Sequence, residues 1–256
     1  MDLKTAALKA IQCLDLTTLG DDDTEERVIA LTERACTDHG STAALCIYPR
    51  FIPICRHTLK RLRADSIRIA TVTVFPHGRS DLDMAVAETR AAVAYGADEV
   101  DTVIPYRQLI NGKGDVAKRQ LEAVKAACGE AARLKVILET GELKTPELIA
   151  EASRIAIEAG ADFIKTSTGK VPVNATPESA QVMLEVLKET GASCGLKIAG
   201  GVKSTEDARD YLDQAAEVLG EDFLKPETFR FGASGVLSAL LATLDGEQAA
   251  TTGESY

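Results

Sequence analysis

The sequence has no tryptophan, only three histidines and three methionines, and 4% aromatic residues in 256 positions. The histidines, His39, His57 and His77, are isolated from one another. Without H-x-H or H-E-x-x-H, a histidine-rich metal site lacks support. The six cysteines, Cys13, Cys36, Cys46, Cys55, Cys128 and Cys194, include no C-x-x-C pair. A chain of this size needs no disulfide staples, so each is expected as a reduced and mostly buried thiol. No apolar run is long enough to cross a bilayer. The opening Met1-Asp2-Leu3-Lys4-Thr5 lacks the apolar stretch of a secretion signal, so a cytoplasmic location is expected. Positive charge is also short. Lys and Arg total 29 against 39 Asp and Glu, for a net charge of -10. Such a surface repels nucleic acid and anionic lipid at long range, and neither is expected as a partner. A small anionic substrate remains compatible if cations converge locally.

What the chain does contain is the balance of a globular protein, 45% hydrophobic and 27% charged, and a rhythm. Short β-branched runs alternate with longer amphipathic ones. The expected strands are Cys13–Thr17, Ala43–Tyr48, Ile67–Val74, Glu99–Ile104, Lys135–Thr140, Phe163–Thr168, Gly195–Ala199 and Phe229–Ala233. Most recur at roughly thirty-residue intervals, the length of a βαβ unit. Several are almost continuously apolar, as in a parallel sheet covered by helices. Eight such strands predict a single (β/α)8 barrel, with an open doubly wound sheet as the alternative. Residues 1–256 read as one domain with a flexible polar tail from about residue 245. Helix starts are marked at Ser80–Asp83 and Ser204–Asp207 by capping boxes, and at Thr145-Pro146 and Thr176-Pro177 by a cap before a first-turn proline. Gly96, Gly160 and Gly191 follow helical runs as C-terminal caps. Between 82 and 93, Leu82, Val86, Thr89 and Val93 share one face. Gly96-Ala97-Asp98 is echoed by Gly160-Ala161-Asp162 before another strand.

In such barrels catalytic groups sit at the C-terminal ends of strands. Lys165 lies within the apolar run Phe163-Ile164-Lys165, where a buried ammonium must find a partner or lose its proton. A lysine with a depressed pKa attacks carbonyls and forms a Schiff base. The other reading is a lysine turned to an exposed edge. Lys197 occupies a matching place in the next strand, Gly195-Leu196-Lys197-Ile198-Ala199. Two neighbouring ammonium groups disfavour each other's charge, although a structural ion pair would also account for Lys197. Asp101, between Val100 and Thr102, can face into the barrel, pair with Lys197 and pass protons. Asp15 offers a second acid on the first strand. Gly169-Lys170, Gly200-Gly201 and Gly232-Ala233-Ser234-Gly235 follow strands six, seven and eight, where backbone N–H groups can meet a phosphate. Cys46 is read as a core residue that can also lie near an aldehyde.

Five stretches together resemble the deoxyribose-phosphate aldolase family over essentially the whole length. They are Leu14-Asp15-Leu16-Thr17-Thr18-Leu19, Cys46-Ile47-Tyr48-Pro49-Arg50-Phe51, Ala97-Asp98-Glu99-Val100-Asp101, Phe163-Ile164-Lys165-Thr166-Ser167-Thr168-Gly169 and Lys197-Ile198-Ala199-Gly200-Gly201-Val202. The resemblance implies reversible cleavage of 2-deoxy-D-ribose 5-phosphate to D-glyceraldehyde 3-phosphate and acetaldehyde, with no metal or organic cofactor. It implies that Lys165 forms the imine, that Lys197 lowers the Lys165 pKa, and that Asp101 joins Lys197 in a proton relay. Asp15 is an accessory group by the same analogy. Tyr256 matches a C-terminal tyrosine that enters the site to move a proton. Thr17, Cys46, Thr168, Gly169, Lys170, Gly200, Gly201, Lys203, Gly232 and Ser234 are expected to contact the sugar phosphate, in a monomer or homodimer. Ile198, Lys203 and Gly235 depart from the family's usual residues. Lys203 in place of arginine turns a bidentate phosphate grip into a point charge.

Overall fold

The computed structural model describes residues 1–246. Eight parallel strands close into a barrel: β1 Leu14–Thr17, β2 Ala44–Ile47, β3 Arg68–Thr73, β4 Glu99–Val103, β5 Arg133–Ile137, β6 Phe163–Lys165, β7 Gly195–Ala199 and β8 Phe229–Ala233. Each pairs with the next in sequence, and β8 returns to β1 through the register Asp15 opposite Gly232. The open-sheet alternative is thereby excluded. Helices run between the strands, and one more helix, Leu3–Gln12, precedes the barrel. A two-strand hairpin of Cys36–Thr37 and Gly40–Ser41 stands outside it.

Two expected strands end elsewhere. β5 begins at Arg133 and stops at Ile137. Beyond it Glu139 turns left-handed at φ 60°, and Thr140–Leu143 starts a short helix. β6 stops at Lys165. Its Thr166 hydroxyl instead donates to the Ala199 carbonyl and accepts from the Ala199 N–H, holding the β6 and β7 ends together.

The expected helix caps hold at three positions. Thr145, Thr176 and Ser204 each accept a backbone N–H at the start of their helices, and the last two form capping boxes. The fourth moves by one residue: Asp81, not Ser80, accepts from Met84 N. The helix Leu82–Ala94 also turns a different face inward. Ala85, Thr89 and Ala92 are buried whereas Leu82 is 44% exposed. Small residues on that face let the helix lie close to the sheet, which a reading of bulky apolar positions does not anticipate. The repeated Gly-Ala-Asp has a structural purpose. Asp98 accepts from Ile69 N at 2.7 Å and Asp162 from Leu134 N at 2.7 Å, each clamping the start of the preceding strand. Arg56 and Lys125 neutralise the two carboxylates from neighbouring helices.

Most apolar burial lies between sheet and helices. The space inside the barrel is divided. On the β2–β3 side it holds a small apolar cluster of Leu19, Ala44, Cys46, Ala70 and Val72. From the other strands it receives charged side chains, treated below. Phe163 packs beside Gly195, whose missing side chain makes the room: a Cβ there would lie 2.4 Å from Phe163 Cε1 and 2.6 Å from the Thr228 carbonyl. Overpacking a rigid core costs about 1–3 kcal/mol. Gly195→Ala should therefore lower the urea midpoint by that much in free energy, and an unchanged midpoint would show that Phe163 does not hold this position.

Candidate active site

Alternation along the strands sends one charged residue after another to the barrel axis. Asp15 comes from β1, Glu99 and Asp101 from β4, Lys135 from β5, Lys165 from β6, Lys197 from β7 and Arg230 from β8. All are buried, with Lys165 at 3% exposure and Lys197 at zero. Lys165 and Lys197 are register partners, the matching positions that the sequence suggested. Asp101 and Lys135 are partners in the same way.

Asp101 is the hub. Its Oδ2 accepts from Lys165 Nζ at 2.9 Å and from Lys197 Nζ at 2.8 Å, and its Oδ1 accepts from Lys135 Nζ at 2.8 Å. Asp15 accepts from Lys197 at 2.5 Å and from Arg230 at 2.5 Å. Glu99 pairs with Lys135 at 2.5 Å and with Arg230 at 2.8 Å. Four basic side chains thus meet three carboxylates, so the bases compete for compensation.

The electrostatics favour charge on these bases unequally. Burial is the largest influence on Lys165, and with the charge of Lys197 it outweighs the pull of Asp101, so the Lys165 pKa falls. Burial also opposes charge on Lys197, but Asp101 and Asp15 overcome it and raise the Lys197 pKa well above its ordinary value. Lys135 is likewise raised, as Asp101, Glu99 and Asp15 outweigh its burial. Burial works against charge on Asp101 too, yet Lys135, Lys165 and Lys197 together hold its carboxyl well below the usual range. The arrangement is one poised amine at the strand end, hydrogen-bonded to a carboxylate that a permanently charged lysine shares. A neutral amine so placed can attack a carbonyl, and the shared carboxylate can carry protons to and from it.

The other expected residues fall into two groups. Thr17 pairs in register with Cys46, and both are buried beside the network. Burial pushes the Cys46 thiol up, so it is a poor nucleophile. Gly232 lies against the stem of Lys197, where a Cβ would come 3.0 Å from Lys197 Cε. It makes space for the lysine within the barrel. Ser234 lines a rim cavity of about 420 Å³ with Thr17, Thr18 and Gly20. Thr168, Gly169 and Lys170 follow β6 as a tight loop. Gly169 N donates to Asn174 Oδ1 at 3.1 Å, and Lys170 N donates to the Thr168 hydroxyl at 3.0 Å. Gly200 and Gly201 are left-handed, at φ 77° and 91°, and press against Asn174 and Ala175 of that same loop. The Lys170 and Lys203 side chains are exposed. Tyr256 lies outside the described residues.

Sequence reasoning missed Lys135, Glu99, Arg230 and Glu139. Lys135 stands between Leu134 and Val136, the same anomaly that marked Lys165, and Arg230 stands between Phe229 and Phe231. Glu99 lies two residues from Asp101 and so shares its face. Only Glu139 carried no pattern. It is buried in a left-handed conformation that L-residues rarely adopt, and it accepts from Thr168 N at 3.1 Å and Thr168 Oγ1 at 2.6 Å. Burial pushes its carboxyl above the usual range. Its contacts fix the loop that follows Lys165.

A family model described as DeoC/LacD family aldolase matches residues 9–242. Solved structures agree in fold. An apo-form protein from Toxoplasma gondii, provisionally named a deoxyribose-phosphate aldolase, is 25% identical with a TM-score of 0.88, covering 97% of this chain and 99% of its own. A protein from Coccidioides immitis with the same provisional name is 27% identical with a TM-score of 0.80, covering 93% and 86%. A tetrameric deoxyribose phosphate aldolase from Aeropyrum pernix, at 24% identity and TM-score 0.73 over 94% and 97%, shares the fold.

Removing the hub charge leaves buried cations uncompensated, a loss of about 3–5 kcal/mol. Asp101→Asn should destabilise the protein by that amount near neutral pH. The depressed Asp101 pKa adds stability above the ordinary carboxylate value, and that contribution disappears as pH falls through the lower folded value. The variant should consequently lose less stability than the parent between neutral and strongly acid pH in urea titrations. Parallel acid limbs in the two proteins would refute the hub assignment.

Proposed function

This chain belongs to the DeoC/LacD family of aldolases, and on that premise we propose that it reversibly cleaves 2-deoxy-D-ribose 5-phosphate to D-glyceraldehyde 3-phosphate and acetaldehyde through a Schiff base on Lys165. The observation that carries this reading is the lowered pKa of one buried amine among partners whose charge is secured.

In the cleavage direction the Lys165 amine adds to the C1 aldehyde of the open-chain sugar. The carbinolamine loses water, and the protonated imine becomes the electron sink. A base takes the proton from the C3 hydroxyl, the C2–C3 bond breaks, and its electron pair forms an enamine on Lys165. D-Glyceraldehyde 3-phosphate leaves as the first product. Protonation of the enamine carbon and hydrolysis of the imine release acetaldehyde and restore the amine. Asp101, between Lys165 and Lys197, is the residue through which protons reach the nitrogen. Asp15 holds Lys197 charged and in place. Tyr256 is assigned the enamine proton by family analogy. The β6 and β7 loops, with Gly169, Lys170, Gly200, Gly201, Lys203 and Ser234, are the proposed seat of the phosphate. The tight packing of Gly200 on Asn174 and of Gly201 on Ala175 supports a preformed seat.

Borohydride reduction in the presence of acetaldehyde should add the mass of one ethyl group to the peptide containing Lys165. Lys165→Leu should abolish both the adduct and turnover while the protein stays folded. Retained turnover in that variant would end the proposal, and an adduct on Lys197 or Lys135 would transfer the role. An uncharged amine is required for attack, so the rate should fall as pH drops through the lowered Lys165 pKa. Lys197→Leu removes a repelling charge and should move that limb to higher pH, besides slowing the reaction. An unmoved limb would separate Lys197 from the tuning of Lys165.

A further inference from the structure

The end of the barrel opposite Lys165 holds a second concentration of positive charge. In a parallel barrel all strands begin at one end and finish at the other. Arg68 opens β3 and Arg133 opens β5, whereas Lys165 closes β6. Along β3, Arg68 has the parity of Ala70 and Val72, which pack inside the barrel. Along β5, Arg133 has the parity of the buried Lys135. Alternation therefore directs both guanidinium groups to the barrel axis at its N-terminal mouth. They line one cavity of about 310 Å³, together with Ser41, Thr42, Ser66 and Arg230.

The charge in this cavity is not balanced. Arg230 forms the inner wall and is committed to Asp15, Glu99 and the Pro226 carbonyl. Among the described residues, neither the Arg68 nor the Arg133 side chain makes a hydrogen bond or ion pair. Glu227 is the single carboxylate in the lining. Each guanidinium presents a planar fork of donors that matches tetrahedral oxyanions. Ser41 and Ser66 also line the cavity, and their hydroxyls are neutral donors. In a chain of net charge -10 this is a local reversal of sign. The overall charge disfavours a large polyanion, and the cavity volume suits a small one.

We propose that the floor of the barrel binds a phosphate-type oxyanion, held by Arg68 and Arg133 with hydroxyl support from Ser41 and Ser66. The site is separate from any phosphate seat at the opposite mouth and does not depend on the aldolase reading. Free phosphate and the phosphate group of a small monoester share the required chemistry.

The test uses the full chain, crystallised without phosphate or sulfate and soaked in selenate. An anomalous peak within hydrogen-bonding reach of both guanidinium groups is expected. Arg68→Gln with Arg133→Gln should erase that peak and leave any peak at the opposite mouth. In solution, calorimetry with inorganic phosphate should show floor binding weakened roughly tenfold or more in the double variant, and partly restored with lysine at both positions. Competition by glycerol phosphate would identify a monoester as the occupant, and its failure to compete would identify the free ion. Turnover of the double variant in phosphate-free buffer should equal that of the parent. Selenate absent from the floor, or phosphate binding unchanged by the double substitution, overturns the proposal.

Discussion

A single carboxylate shared by three lysines sets the design of this molecule. Asp101 receives hydrogen bonds from Lys135, Lys165 and Lys197, and all four side chains are buried. An isolated buried charge is costly, and a cluster escapes that cost only when each ion is compensated. Here Asp15 and Glu99 secure Lys197, Lys135 and Arg230 from the other side. What is left over is one base too many. The surplus falls on Lys165, the member with Asp101 as its only carboxylate partner in the cluster. Its lowered pKa is therefore a property of the whole network more than of its immediate neighbour. Burial is the leading cause of the shift and the cation of Lys197 assists it.

The barrel makes this arithmetic possible. Parallel strands in fixed register deliver side chains of equal parity to the axis from every direction, so charges far apart in sequence arrive at hydrogen-bond distance. Asp15 and Arg230 are 215 residues apart, and closure of β8 on β1 brings them together. The β2–β3 side of the axis remains apolar and gives the network a low-dielectric wall. Glycines complete the fit. Gly232 leaves room for the Lys197 stem, and Gly195 leaves room for Phe163 below Lys165.

Much of this was legible in the sequence. The strand rhythm, the two lysines at matching positions and Asp101 on an inward face follow from periodicity of two and from the oddity of charge in apolar runs. Lys135 and Arg230 are legible by the same rule, as charges within apolar runs, but both lie near the start of the expected strands, away from the C-terminal ends where catalytic groups gather. Other features had no sequence signal. Glu139 depends on a left-handed turn at a residue type that does not favour one, and only the tertiary bonds to Thr168 explain it. The inward face of Leu82–Ala94 was misjudged because alanine contributes little to a hydrophobic pattern, although close packing prefers it. The end of β6 was placed three residues late because Thr166-Ser167-Thr168 has strand-like composition, while its hydrogen bonds turn the chain into the mouth of the barrel.

A lowered amine pKa carries a thermodynamic consequence. Where the folded pKa of a lysine lies below its unfolded value, the unfolded chain binds the extra proton, and stability rises with pH across the interval between the two values. Below that interval the fold thus bears a cost for burying the Lys165 ammonium, the opposite sign from Lys197 and Asp101, whose shifts favour the folded state at neutral pH. Such a position is unfavourable for the scaffold alone and is retained where chemistry needs it. The surrounding network accounts for its persistence. Lys135, Lys197 and Arg230 each gain two or more carboxylate contacts, and those bonds tie β1, β4, β5, β7 and β8 across the axis. A barrel braced by these contacts can carry one lysine whose charge is disfavoured.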